Sequence, residues 1–360
     1  MKKQILLLVA FSLVIFASSF TAFGQAVHYS TSRPLSCTGD ALHPIAGQEW
    51  TYAVVGSVPG TYHFWATKDP QFIKTAASVT TFNNATALAT PTDLLTATAN
   101  YNNPGATAEV KITWSSSILS NTVFQGTPDP TGATPSPTYV AVYFKATDGC
   151  SDNFKVWELD PINGFTIDVL AIDPDAVTTV PDFTVVPATC LDMVESATYT
   201  GGAMVYDYGD NYLYFEIVAS NFSGSFVPTA VLSGFKGTQT ATSYEYTTAL
   251  PSTWGPTSWA PFVSGTTSIT TAATNTKNGV SVFLRVLVDH NNFEGIAGQT
   301  LTLTADAQNA QGEWDVVNDT CVDPDAADEN DTSTASFTAR PSVTDPAMPT
   351  PNVIPGNQQN

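Results

Sequence analysis

The residues able to do chemistry are few and scattered. The histidines are His28, His43, His63 and His290, and no Gly-x-Ser-x-Gly turn offers a serine to any of them. His290 follows Asp289 at a strand end, where turn residues are expected, and a Ser-His-Asp triad is defined by geometry rather than chain order. Hydrolysis of a glycosidic bond needs two carboxylates flanking it. Asp192, Glu195 and Glu216 are candidates by type, and Glu216 interrupts the apolar run Tyr212–Val218. Spacing marks out no second carboxylate, so Glu216 reads first as a satisfied structural residue. The cluster Asp323, Asp325, Asp328 and Asp331 carries the hard oxygen ligands that Ca2+ prefers. It occurs in one copy and lacks a glycine turn, so it reads as a solvated acidic segment before it reads as a metal site. No cofactor is expected, with Ca2+ the one ion this cluster would take.

The stretch Trp254-Gly255-Pro256-Thr257-Ser258-Trp259-Ala260-Pro261-Phe262 sets two Trp and one Phe in a Pro/Gly-rich loop. Large apolar residues on a loop either pack or bind something. Sugar rings stack their C–H faces on flat aromatic side chains, so Trp254, Trp259 and Phe262 are the candidate ligand-binding residues. The competing reading has them plug the end of a sandwich. Trp114 and Trp157 lie in strand patterns and are expected in a core. Cys37, Cys150, Cys190 and Cys321 contain no C-x-x-C pair. An even number in an exported chain favours disulfides over zinc or redox chemistry. Of the pairings open to them, Cys37–Cys150 and Cys190–Cys321 would each bracket one domain.

The elements that must position these residues are strands. Val110, Ile112 and Trp114 alternate with polar neighbours, as do Leu301, Leu303, Ala305 and Ala307. This period of two marks strands buried on one face. Tyr139–Phe144, Tyr212–Ala219 and Val280–Val288 are apolar on both faces and read as central strands. No stretch sustains a helical apolar period. The fold class is therefore all-β, two tandem Ig-like sandwiches with an extended C-terminal tail. The divisions are a signal peptide over 1–24, an N-terminal lead over 25–34, a sandwich over 35–172 and a linker over 173–182. A second sandwich covers 183–340 and a Pro-rich tail 341–360. Strand Phe165–Ala171 is assigned to the first sandwich. A likeness between Val140–Phe154 and Val280–Phe293, each a buried strand, an Asp/Asn turn and then a Phe, hints at two related units.

Lys2 and Lys3 precede an apolar run from Ile5 to Phe20 that closes at Ala22-Phe23-Gly24, the layout of a secretory signal peptide. Beyond it no apolar run approaches the length of a membrane span. Hydrophobic residues make up 43% of the chain, ample for buried cores, while charged residues make up only 12%, about half the usual share. The net charge is −20, which disfavours nucleic acid and anionic lipid as partners.

Three segments resemble Ig-like and PKD-like modules of secreted Bacteroidota proteins. They are Gly47-Gln48-Glu49-Trp50-Thr51-Tyr52 through Tyr62-His63-Phe64-Trp65, then Val110-Lys111-Ile112-Thr113-Trp114, and Thr138-Tyr139-Val140-Ala141-Val142 through Asp148-Gly149-Cys150-Ser151. The resemblance covers residues 45–170 and implies roles in spacing, adhesion and surface assembly. The chain departs from the group's type IX passengers in ending Pro351-Asn352-Val353-Ile354-Pro355-Gly356-Asn357, with no closing strand. The resulting expectation is a non-enzymatic structural or adhesive module, secreted to the cell surface or periplasm, whose partners are envelope or surface proteins. Carbohydrate binding through Trp254–Phe262 is the alternative, and polysaccharide hydrolysis the third reading.

Overall fold

The computed structural model describes residues 39–68, 72, 87–88, 94–121, 138–148, 151–173, 188–316 and 331–342. The signal segment, the N-terminal lead, nearly all of the linker and most of the tail lie outside them. The fold is all-β. Strands β1 (Glu49–Ala53), β2 (Gly60–Thr67), β3 (Leu94–Ala97), β4 (Glu109–Trp114), β5 (Thr138–Ala146) and β6 (Asp152–Leu159) come first. They make two three-stranded sheets, ordered β1-β4-β3 and β2-β5-β6. The alternating residues Val110, Ile112 and Trp114 meet Phe64, Val140 and Val142 across the gap, all essentially buried. Strand β5 is apolar on both faces for a physical reason. Its second face carries Ala141 and Tyr143, covered by Trp65, Phe72, Phe154 and Val156 in a satellite cluster.

The later strands are β7 (Thr166–Ile172), β8 (Ala188–Thr189), β9 (Ser196–Thr200), β10 (Ala203–Asp207), β11 (Asp210–Ser220) and β12 (Ser225–Ser233). After them come β13 (Thr240–Thr247), β14 (Ala260–Pro261), β15 (Ile269–Thr270), β16 (Val280–Asp289), β17 (Gln299–Asn309) and β18 (Asp331–Phe337). Two five-stranded sheets result, ordered β14-β13-β16-β11-β7 and β15-β12-β17-β18-β8, while β9 and β10 form a separate ribbon. Phe215, Ile217, Leu284 and Val286 from one sheet pack on Leu301, Leu303, Ala305 and Phe337 from the other.

Two expectations are corrected. Strand Phe165–Ala171 belongs to the second sandwich, because β7 pairs with β11 from Thr166↔Ser220 to Ile172↔Tyr214. Its apolar set Phe165, Ile167, Val169 and Ala171 faces the second core, so the junction falls near Asp160–Gly164 rather than after Ile172. The likeness between Val140–Phe154 and Val280–Phe293 is not structural either. Strand β5 turns back to pair with β6, whereas β16 and β17 lie in different sheets.

The sandwiches meet through a buried polar junction. Gln48 Nε2 donates to Asn221 Oδ1 at 2.8 Å, and Ser116 N to Ser223 Oγ at 2.8 Å. Gly47 N donates to the Trp114 carbonyl and Thr276 N to the Gly47 carbonyl. Strand β1 runs away from this junction, and β11 ends at it with Ser220. The register therefore sets Gly56–Gly60 and Asp152 at the far end of the first sandwich. Asp210 and Asp289 stand at the far end of the second.

Candidate functional site

Each sequence-level candidate can now be placed. Glu216 is fully buried in β11 and accepts a hydrogen bond from Ser281 Oγ on β16 at 2.5 Å, which leaves it closed to a substrate. His290 is also fully buried. Gln239 Oε1 accepts from Lys236 N and Gln299 Nε2, so Gln239 Nε2 must donate to His290 Nδ1, at 2.8 Å. The Nε2–H of His290 then donates to Asn211 Oδ1 at 2.9 Å. Burial, with Arg340 nearby, holds the imidazole pKa below its ordinary value, so His290 is a neutral structural link and not a base. Cys190 is exposed with a free thiol; Cys37, Cys150 and Cys321 lie outside the described residues. So do Asp323, Asp325 and Asp328, while Asp331 opens β18, half-buried opposite Ala305. Among the described residues no three His, Cys, Asp or Glu side chains gather as a metal site would require.

The aromatic loop folds down on the outer face of the β13-β16-β11 sheet. Trp254 stacks on Tyr214 with ring centroids 5.7 Å apart, meets Phe283 edge-on at 5.2 Å, and donates its indole N–H to the Ala249 carbonyl. Arg285 lies between Trp259 and Tyr212, 4.5 and 4.3 Å from their ring centroids, and bonds Glu245 at 2.7 Å. Trp254, Trp259, Tyr212 and Tyr214 are half-buried. Phe262 parts from the other two, being buried in the second core. It follows directly on the short β14, where its N–H is held by the Tyr244 carbonyl at 2.9 Å.

Two features lie outside the candidate sites read from the sequence. The first is a cleft of about 570 Å³ at the far end of the first sandwich. The Val54–Val58 loop and the distal half of β6 border it, and Tyr62, Val142, Phe144 and Trp157 contribute apolar surface. It exists because the inward positions of β6 opposite Val142 and Phe144 are Lys155 and Asn153. Both are solvent-exposed, so the sheets do not close over them. Gly60 lets the rim approach, since a side chain there would run into Phe144. Val55 is 98% exposed on this rim and Val58 43%.

The second feature is the β9–β10 ribbon. Thr200 and Ala203 are joined by Gly201 (φ +63°) and Gly202 (φ +89°), the two left-handed positions that a tight hairpin turn demands. Pairs Tyr199↔Met204 and Ala197↔Tyr206 put four apolar residues on one face. Tyr199 is 71% exposed, Met204 46% and Tyr206 41%. Burying a side chain of the Met204 class contributes about 1.5–3 kcal/mol, a gain the isolated chain leaves unrealised. The ribbon's base is fixed in contrast. Asn211 Oδ1 receives Asp192 N as well as His290, Tyr208 N donates to the Asn291 carbonyl, and Arg340 Nη2 to the Tyr208 carbonyl. The signal for this element was the Gly-Gly pair between Thr200 and Ala203.

No protein-family model matches the chain, and no curated protein does. Among solved structures, CfaE, the adhesive subunit of the CFA/I fimbria of enterotoxigenic Escherichia coli, is 10% identical at a TM-score of 0.29. That match covers 89% of this chain and 91% of the other. A putative membrane-anchored protein of Corynebacterium diphtheriae is 8% identical at 0.19, over 83% of this chain and 58% of that one. The collagen-binding domain of the surface protein RspB of Erysipelothrix rhusiopathiae is 5% identical at 0.14, over 82% and 84%. Superpositions this loose establish no residue correspondence.

Proposed function

We propose that the chain is an exported, non-enzymatic adhesive or structural module that engages envelope or surface proteins through the β9–β10 ribbon. The observation that carries this is the contrast within one element: a base locked by the His290–Asn211–Gln239 network and an apolar face left in solvent. A two-stranded ribbon is marginal on its own in water, so one held out from a sandwich is built to be covered. The test is adhesion of bead-bound mature chain to envelope fractions and whole cells. Tyr199→Ser with Met204→Ser lowers adhesion about tenfold or more if these residues are the anchors. Unchanged adhesion, or turnover of a polysaccharide by the purified chain, overturns the reading.

A second reading, glycan binding, draws on the half-exposed stack of Trp259, Arg285 and Tyr212. It proceeds without Phe262. Sugar-dependent quenching of tryptophan fluorescence that Trp259→Ala removes would establish it.

A further inference from the structure

The ribbon and the cleft stand at opposite ends of the molecule. The β1 and β5 registers place the cleft beyond the far end of the first sandwich. The β11 register, with Asn291 and Asn211 gripping the segments on either side, places the ribbon beyond the far end of the second. Neither feature is obstructed by the junction between the sandwiches. We infer that the ribbon of one molecule docks in the cleft of a second copy, so that the chain assembles head to tail. This rests on the ribbon being an interaction element and names its partner.

Three properties make the two surfaces fit. Tyr199, Met204 and Tyr206 present an apolar face, and Phe144, Val142 and Trp157 present an apolar floor. The charges are opposite as well. Lys155 and Asp152 both border the cleft, but the Asp152 carboxylate is turned away to accept from the Tyr143 hydroxyl. Around the ribbon stand Asp192, Glu195, Asp207 and Asp210, and Arg340 is held at its base against Tyr208. Finally, β1 and β6 are edge strands of their sheets, and an edge offers backbone donors and acceptors to an incoming strand. A contact between two different patches, one at each end, is head to tail and adds copies beyond the dimer, as a ring where its rotation closes and as an open chain where it does not.

Sedimentation velocity on the mature chain, residues 25–360, over a wide concentration series tests this. Wild type is expected to form species beyond the dimer as concentration rises. Met204→Asp on the ribbon, and Lys155→Glu with Val58→Asp at the cleft, each weaken association about tenfold or more. All these positions are exposed, and circular dichroism melts confirm that the variants stay folded. Mixed together, the ribbon variant and the cleft variant regain one intact contact and form a heterodimer that grows no further. A symmetric interface does not complement in this way. A wild type that stays monomeric, or that stops at a dimer, overturns the inference, as does a mixture that fails to pair. If the wild type is monomeric while Met204→Asp still abolishes adhesion to cells, only self-assembly fails and the adhesive reading stands.

Discussion

Asp306 and Asp315 are buried carboxyls that share the Ala307 N–H as donor, at 2.7 and 3.0 Å. Burial raises the pKa of both, and mutual hydrogen bonding and repulsion hold Asp315 protonated well above the usual carboxylate range. Unfolded, Asp315 ionises near pH 4. Above that value the native state holds the extra proton, so stability falls as pH rises through the neutral range. Asp315→Asn keeps the shape and the acceptor and removes the titration. Its melting temperature should exceed that of wild type at pH 8 and converge with it below about pH 4. His290 works in the opposite direction. Its folded pKa is depressed by burial, so its contribution is present above the unfolded value near 6.5 and is lost as pH falls below it. In the Asp315→Asn background that acid-side loss should emerge undiluted. Protection factors of the amides near Tyr208–Asn211, with the intrinsic pH dependence of exchange divided out, should fall first between pH 7 and pH 5, since His290 secures the base of the ribbon through Asn211. Protection that stays constant there would remove the structural role given to His290.

At the scale of the element, the aromatic loop and the ribbon separate two uses of exposed rings. Trp254 touches Tyr214, Trp259 and Phe283 and donates to the Ala249 carbonyl. Trp254→Ala should therefore cost about 2 kcal/mol in urea denaturation, below the ~3–5 of a fully buried Trp. Tyr199→Ser, on the ribbon's open face, should stay within about 0.5 kcal/mol of wild type. A ribbon substitution as costly as the Trp254 one would mean that the ribbon packs on the body. The strands themselves were legible. Leu301–Ala307 and Val110–Trp114 alternate as one-sided strands should, and the two-faced runs became the central strands β5, β11 and β16. Membership was not legible, because strand pairing is non-local. Nothing within Phe165–Ala171 says whether its partner is Lys155 or Ile217. Of the ribbon, Ala203–Tyr206 reads as a strand and is β10, but its partner β9 does not, for a related reason. Ser196–Thr200 holds one aromatic among small polar residues, and no core pattern marks a strand that has no core. Phe262 was misplaced with the two Trp because loop composition does not reveal which side chain turns inward.

At the scale of the whole molecule, the function proposed needs the two ends held in a fixed relation, and the junction supplies that through backbone and small side chains. Gly47 is its tightest point. Its φ of +71° lies in the left-handed region, and a side chain there would strike Thr276 Oγ1 and the Phe222 carbonyl, the latter at 2.8 Å. Both its peptide groups are used, the N–H by the Trp114 carbonyl and the carbonyl by Thr276 N. Gly47→Ala would therefore strain the backbone by roughly 1–2 kcal/mol and press apart the surfaces carrying Gln48–Asn221 and Ser116–Ser223. Each sandwich keeps its own core, so neither should unfold outright. Calorimetry should resolve the single transition expected of the coupled molecule into two. Small-angle scattering should show a broader distribution of maximum dimension. Ser223→Ala, which removes one hydroxyl yet fits the same space, should leave the transition single. If Gly47→Ala also melts in one step with unchanged scattering, the junction is a passive contact, and end-to-end assembly would have to tolerate a hinge at its centre.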